Sequence, residues 1–216
     1  ADMGSRARRS LRNRNGGSAG EAAGGEPVRL TFNGGGATPV AWTPDGERVV
    51  FTSFMKTFIY RDPKLFSIKA DGTAPEQLPV DRGVLVGFNA DGSEMLYCRK
   101  GMPEYQWKRY RGGRYVDIWR YNFKTGAFTA ITDFVGKNAY PMWIGDSMYF
   151  VSDRGADKIS NLYKKNLETG SVEAVTGYEN LDVMMAETDG KQIVYVQDGF
   201  LHVLNTRDGT IADLTV

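Results

Sequence analysis

Between residues 41 and 195 one alternation of apolar and polar positions recurs four times, each time broken by an Asp/Gly pair. The clearest copy is Ala41-Trp42-Thr43-Pro44-Asp45-Gly46-Glu47-Arg48-Val49-Val50-Phe51. Gly87-Phe88-Asn89-Ala90-Asp91-Gly92-Ser93-Glu94-Met95-Leu96-Tyr97 repeats it. So do Pro141-Met142-Trp143-Ile144-Gly145-Asp146-Ser147-Met148-Tyr149-Phe150 and Ala186-Glu187-Thr188-Asp189-Gly190-Lys191-Gln192-Ile193-Val194-Tyr195. Each reads as a short strand, a tight turn and a second strand whose side chains alternate between two faces. Asp-Gly suits such a turn because the backbone needs positive φ, which glycine adopts at no steric cost. The turn pairs begin at 45, 91, 145 and 189, at spacings of 46, 54 and 44 residues. Four strands per unit at such a period predict an all-β protein built of β-propeller blades.

Three of the four units close on an apolar residue and a threonine: Ile131-Thr132, Val175-Thr176 and Leu214-Thr215. A second set of hairpins is expected at Asp71-Gly72, Thr125-Gly126, Thr169-Gly170 and Asp208-Gly209. The predicted blades run over about 32–79, 80–132, 133–176 and 177–216. In the third, the strands are expected at Pro141–Trp143, Ser147–Ser152, Asn161–Lys165 and Val172–Thr176. One strand is left over at residues 27–31, ending in Leu30-Thr31 like the last strand of a preceding blade. The propeller is therefore expected over 27–216 as a fragment of a larger one, with blade edges open to pairing with a second copy.

Residues 1–26 break the pattern. They carry Arg6, Arg8, Arg9, Arg12 and Arg14, then a Gly/Ser/Ala stretch, and show no apolar period. A segment so poor in apolar groups reads as a flexible Arg/Gly-rich arm or an appended linker. It has no apolar stretch of the kind that a signal peptide carries.

Charge adds little to this picture. Against 27 Lys and Arg stand 26 Asp and Glu, so the formal net charge is +1. That gives no ground for nucleic acid or an anionic membrane surface as partner. No apolar run is long enough to cross a bilayer as a helix. The single cysteine, Cys98, excludes an internal disulfide and reads as a small buried hydrophobe. The cytoplasm fits this usage, with the periplasm left open.

The second unit departs from the others by an insertion between Tyr97 and Asp117. It interleaves Trp107, Tyr110 and Tyr115 with Lys108, Arg109, Arg111 and Arg114. Long loops inside compact repeats often carry function. Three uses fit this composition: aromatics packed beneath a solvated loop, Arg forks gripping carboxylates of a peptide or a partner subunit, or stacking of single-stranded nucleic acid. The near-zero net charge disfavours the last. Trp107, Lys108, Arg109, Tyr110, Arg111 and Arg114 are the candidate contact residues.

Trp107-Lys108-Arg109-Tyr110-Arg111-Gly112-Gly113 followed by Asp117-Ile118-Trp119 resembles the first propeller of tricorn-type peptidases. Pro141-Met142-Trp143-Ile144-Gly145, Tyr149 to Arg154, and Asn161-Leu162-Tyr163 extend the likeness over about 27–216. The Trp42 to Gly46 copy alone is shared more widely with TolB-type propellers. The resemblance implies a six-bladed propeller beside a serine peptidase acting on oligopeptides, with nucleophile and base outside this segment. It implies a gating, guiding or scaffolding role; the alternative is a TolB-like protein-interaction propeller with no peptidase attached.

The residues themselves offer no catalytic set. His202 is the only histidine and sits in an alternating strand, Leu201-His202-Val203-Leu204, as a satisfied or exposed strand residue. One His and one Cys do not build a zinc site, and no phosphate-binding glycine loop is present. No catalytic residue, metal or cofactor is assigned. Trp42, Trp119, Trp143 and Phe88, at equivalent places in the repeat, are expected to pack between blades. This chain is predicted to give no turnover of fluorogenic peptides, and specific hydrolysis by the pure protein would overturn the reading.

Overall fold

The computed structural model describes residues 9–13, 17–21, 28–58, 62–100 and 108–214, and every regular element among them is a β-strand. The chain forms two compact units, residues 1–83 and 84–216.

In the first unit, β1 (Arg9–Asn13), β2 (Gly17–Glu21) and β3 (Val28–Arg29) make a three-stranded antiparallel sheet. The leftover strand expected at 27–31 is β3, and it lies outside the full blades. Residues 1–26, read from the sequence as an arm without elements, contain β1 and β2, paired from Arg9↔Glu21 to Asn13↔Gly17. Ladder pairing uses backbone groups alone, so a segment without apolar period still forms strands where a neighbouring strand continues the sheet.

Four strands follow as one antiparallel blade: β4 (Thr38–Trp42), β5 (Arg48–Ser53), β6 (Lys64–Lys69) and β7 (Glu76–Gln77). Val49, Phe51, Phe66 and Ile68 share one face of β5 and β6 and bury themselves with Leu30 and Ala37. The Phe51 and Phe66 rings stack at 5.6 Å.

The second unit holds three blades of the same order. The first is β8 (Val84–Phe88), β9 (Glu94–Lys100), β10 (Asp117–Asn122) and β11 (Phe128–Ala130). The next is β12 (Asn138–Ile144), β13 (Ser147–Ser152), β14 (Asn161–Asn166) and β15 (Val172–Ala174). The last is β16 (Ala186–Thr188), β17 (Gln192–Gln197), β18 (Phe200–Asn205) and β19 (Ile211–Leu214). The turns that the repeats announce are present, with φ of +71° at Gly92, +60° at Gly145 and +90° at Gly190.

The closing apolar-Thr pairs also acquire a cause. The Thr132 hydroxyl accepts the Ile118 N–H at 2.9 Å, and the Thr176 hydroxyl accepts the Leu162 N–H at 2.9 Å. In both blades the threonine extends the ladder where the outermost strand ends, so a buried N–H is not left without a partner.

Strand β13 is buried on both faces, which alternation explains. Met148 and Phe150 point to one side and join Leu96, Cys98 and Ile118 of the preceding blade. Tyr149 and Val151 point to the other and join Ile193, Tyr195 and Leu204 of the following blade. Each fully buried side chain of this size contributes about 1.5–3 kcal/mol by transfer from water. Cys98 is part of the first of these cores, wholly buried, with its thiol directed at the Asn138 carbonyl at 3.7 Å. Burial pushes its pKa far up, the reverse of what a reactive thiolate needs.

The four rings expected between blades are half-buried rather than central. Trp143 packs against the core shared by the first two blades of the second unit, and Trp42 against that of the first unit. Trp119 lies against Phe128 at 5.9 Å, beneath the Arg99 guanidinium. Phe88 stacks on Phe123 at 6.4 Å. These positions flank the strand ends, where indole N–H groups find acceptors: Trp143 donates to the Gly145 carbonyl at 3.0 Å. The largest fully buried rings are instead Tyr97, Tyr195, Phe51, Phe66 and Phe150, toward the middle of the strands.

The first strand of a blade carries a feature that no alternation predicts. Its pairing shifts register between Pro39 and Ala41, between Val84 and Val86, and between Ala139 and Met142. Leu85 and Tyr140, in the second and third of these bulges, have φ of +49° and +55°. A bulge inserts one unpaired residue and bends the strand, and it is also where a strand tolerates proline, here Pro39 and Pro141. The bend brings β8 against β12 so closely that a Cβ on Gly87 would collide with the Pro141 carbonyl oxygen. Gly87→Ala is therefore predicted to destabilise the protein by about 1–3 kcal/mol, the range for an overpacked contact. An unchanged urea midpoint would show that the two strands separate freely.

Candidate functional site

The long loop of the second unit joins β9 to β10, and its residues 108–116 are described. Trp107 lies outside the described residues. Lys108 and Arg109 line a cavity of about 390 Å³. Its other walls come from separate connectors: Lys137 between β11 and β12, Asp153, Lys158 and Ser160 after β13, Leu181, Asp182 and Met184 before β16, and Asp198-Gly199 between β17 and β18. Loops of three successive blades thus converge at one end of the second unit.

Two of the acids are already engaged. Lys108 Nζ lies 2.7 Å from Asp182 Oδ2, and the Ser160 N–H donates to Asp182 Oδ1 at 2.7 Å. Burial works against the Asp182 carboxylate, but the Lys108 ammonium and the Ser160 N–H outweigh it and hold its pKa below the usual aspartate value. Asp153, 3% exposed, receives Arg111 Nη1 on Oδ2 at 2.7 Å and the Lys137 N–H on Oδ1 at 2.8 Å.

Arg111 is thereby a strut. Besides the ion pair it donates to the Asp153 carbonyl at 3.4 Å, and its guanidinium lies 5.1 Å from the centre of the Phe134 ring. Arg154 also packs on that ring and faces Phe150 and Tyr163, at 5.4, 4.9 and 5.4 Å. Gly136 leaves the room this arrangement needs, because a Cβ there would fall 2.8 Å from both Arg111 Nη1 and Asp153 Oδ1. Tyr110 folds over Gly112, Arg114 is half-buried, and neither lines the cavity.

Three cations remain. Among the described residues, Arg109, Lys158 and the Lys137 ammonium have no ion-pair partner, against one unpaired lining acid, Asp198. Arg109, Lys158 and Asp198 also hold left-handed backbone, with φ of +59°, +56° and +52°. Non-glycine residues in this region cost about 1–3 kcal/mol each and cluster where surrounding structure or function demands them. Leu181 and Met184 add an apolar wall to this basic lining.

Of the residues singled out in the sequence, the structure brings Lys108 and Arg109 into the cavity and assigns Arg111 to its support. Lys137, Asp153, Lys158, Asp182 and Asp198 were missed. Asp153 stood within the Tyr149 to Arg154 stretch; the others belong to no motif. His202 lies elsewhere, with Nδ1 2.8 Å from Asp213 Oδ1 and its ring stacked on Tyr195 at 5.2 Å. No cluster of three potential metal ligands occurs among the described residues.

Residues 19–210 match the tricorn protease N-terminal beta propeller domain. The chain belongs to this family. Tricorn protease homolog 1 of Streptomyces coelicolor is 30% identical over 190 residues, covering 86% of this chain and 17% of the relative. The tricorn protease of Thermoplasma acidophilum is 26% identical over 188 residues, covering 84% of this chain and 17% of the relative. The chain thus spans 17% of the length of these two relatives. The crystal structure of the tricorn protease superposes with a TM-score of 0.79 at 21% identity, over 95% of this chain and 20% of that one. A putative TolB from Agrobacterium tumefaciens gives 0.76 at 16% identity, over 96% and 76%. These last two likenesses establish the fold alone.

The strut carries a prediction for this propeller. Arg111→Ala strips a nearly buried carboxylate of its cation and is expected to cost about 1–3 kcal/mol, with Arg111→Lys recovering part of it. A loss below about 0.5 kcal/mol in urea unfolding would mean that Asp153 is satisfied without Arg111.

Proposed function

We propose that this propeller is a non-catalytic segment of a serine peptidase that guides oligopeptides, and that the basic cavity receives a peptide carboxylate. One observation carries the reading: a cavity lined by three cations that have no ion-pair partner among the described residues, next to the apolar Leu181 and Met184. Cations fixed by surrounding structure and unpaired by protein acids are receptors for an anion, and Arg offers the planar fork that fits a carboxylate. The apolar wall suits a neighbouring side chain of the same peptide. The chemical step belongs to residues outside this segment, as the names of the relatives suggest.

The rival reading, a propeller that binds other proteins with no peptidase attached, rests on the TolB likeness. That likeness extends to the blades. The family match favours the first reading.

Titration calorimetry of the protein with acetyl-Ala-Ala-Leu as free acid and as C-terminal amide tests the proposal. The acid is expected to bind at least tenfold more tightly, a difference of about 1.4 kcal/mol. Equal affinity for acid and amide would sink the carboxylate reading.

A further inference from the structure

We propose that Lys137, which no sequence motif marks, is the principal anion contact of the basic cavity, the group on which a ligand carboxylate comes to rest. The inference rests on the peptide-guiding reading above and names the residue that would do the binding.

Among the described residues, four cations line the cavity and Arg111 and Arg154 support it, and the structure separates them by what they already do. Lys108 is held by Asp182 at 2.7 Å and Arg111 by Asp153 at 2.7 Å. Among the described residues Arg109 and Lys158 have no ion-pair partner, but both are exposed. Water competes for an exposed cation, and a surface ion pair gains little. Lys137 is unpaired among the described residues, is only half-exposed, and lines the cavity.

Its position is set with care by its neighbours. Its main-chain N–H is fixed on Asp153 Oδ1 at 2.8 Å. Next to it, Asn138 is wholly buried and bonded on both sides of its amide. The backbone that presents the ammonium is therefore pinned on two consecutive residues. Asp153 and Asp182 lie near enough to attract the charge, yet neither comes within ion-pair distance of it, and both are committed to other cations. Removal from water dominates, so the pKa falls below the ordinary lysine value despite those two acids, with Lys108 pushing in the same direction. A charge taken from water without a partner is costly, and an incoming carboxylate recovers that cost. Pre-organisation adds to this, because the contact needs no rearrangement of the chain.

The test uses the whole protein and two readouts. In calorimetry, Lys137→Gln is expected to weaken binding of acetyl-Ala-Ala-Leu acid more than tenfold and to leave the amide unchanged. Lys137→Arg should restore the acid to within about threefold of the original, and Lys158→Gln should change it by less than threefold. In the unmutated protein, reductive methylation followed by peptide mass spectrometry should show Lys137 protected by the acid and not by the amide. This second readout does not depend on any variant folding. Acid binding that survives Lys137→Gln within twofold, or the absence of protection, would overturn the assignment of Lys137 while leaving the guiding role intact. Failure of the unmutated protein to prefer acid over amide would overturn both. Tighter binding of inorganic phosphate than of the peptide acid would overturn the carboxylate as ligand.

Discussion

A single buried amide, Asn138, holds together the part of the second unit on which the candidate site is built. Its side-chain nitrogen donates to the Val116 carbonyl at 3.1 Å and to the Phe134 carbonyl at 2.9 Å. Its oxygen accepts from Ser152 Oγ at 3.1 Å and from Arg154 Nη2 at 3.1 Å. Both donors and both lone pairs are thereby used. Val116 closes the long loop, Phe134 belongs to the connector between two blades, and Ser152 and Arg154 mark the end of β13. Three segments far apart in the chain are thus tied at one point that water does not reach. Asn161 does the same on β14 of this blade, accepting from Thr176 Oγ1 and the Tyr178 N–H at 2.8 Å each.

From this anchor the charges around the cavity fall into two classes. Arg111 and Arg154 brace the walls, one through Asp153 and both through the Phe134 ring. A guanidinium suits this work because its flat face packs on an aromatic ring while its edge still donates. Lys108 is held by an acid of the opposite wall, Asp182. What remains available is a small surplus of positive charge in a confined space, although the chain as a whole is nearly neutral. A local field of this kind depends on placement, not on the net count.

The blades set the stage for these loops. Cores form between successive sheets of the second unit, so β13, sandwiched on both sides, reads as a continuous apolar run where a one-sided strand would alternate. The bulges at Leu85 and Tyr140 bend the first strands, and Gly87 lets two of them meet at backbone distance. Tight packing between blades leaves little freedom to the turns at their ends. Side chains carried by those turns therefore keep fixed separations, a precondition for a site assembled from several loops.

Local chemistry made much of the architecture readable from the chain. Asp-Gly turns at Gly92 and Gly190 declare themselves because positive φ restricts the residue, and strand alternation follows from the backbone period of two. The apolar-Thr endings were visible as a repeat, though their hydroxyl bonds to Ile118 and Leu162 were not. The insertion announced Lys108 and Arg109 by composition alone. Other features had no local signature. The pairing of β1 with β2 uses backbone groups in a segment without apolar period. A bulge adds one residue without changing composition. Lys108 and Asp182 meet across 74 positions of chain, and nothing near either residue encodes the other. The chain by itself determined the blades, their turns and the loop rich in charge. Only the packing of blade on blade decided which charges are spent on each other and which, Lys137 above all, are left facing the cavity, because those distances are set by folded layers and not by neighbours in sequence.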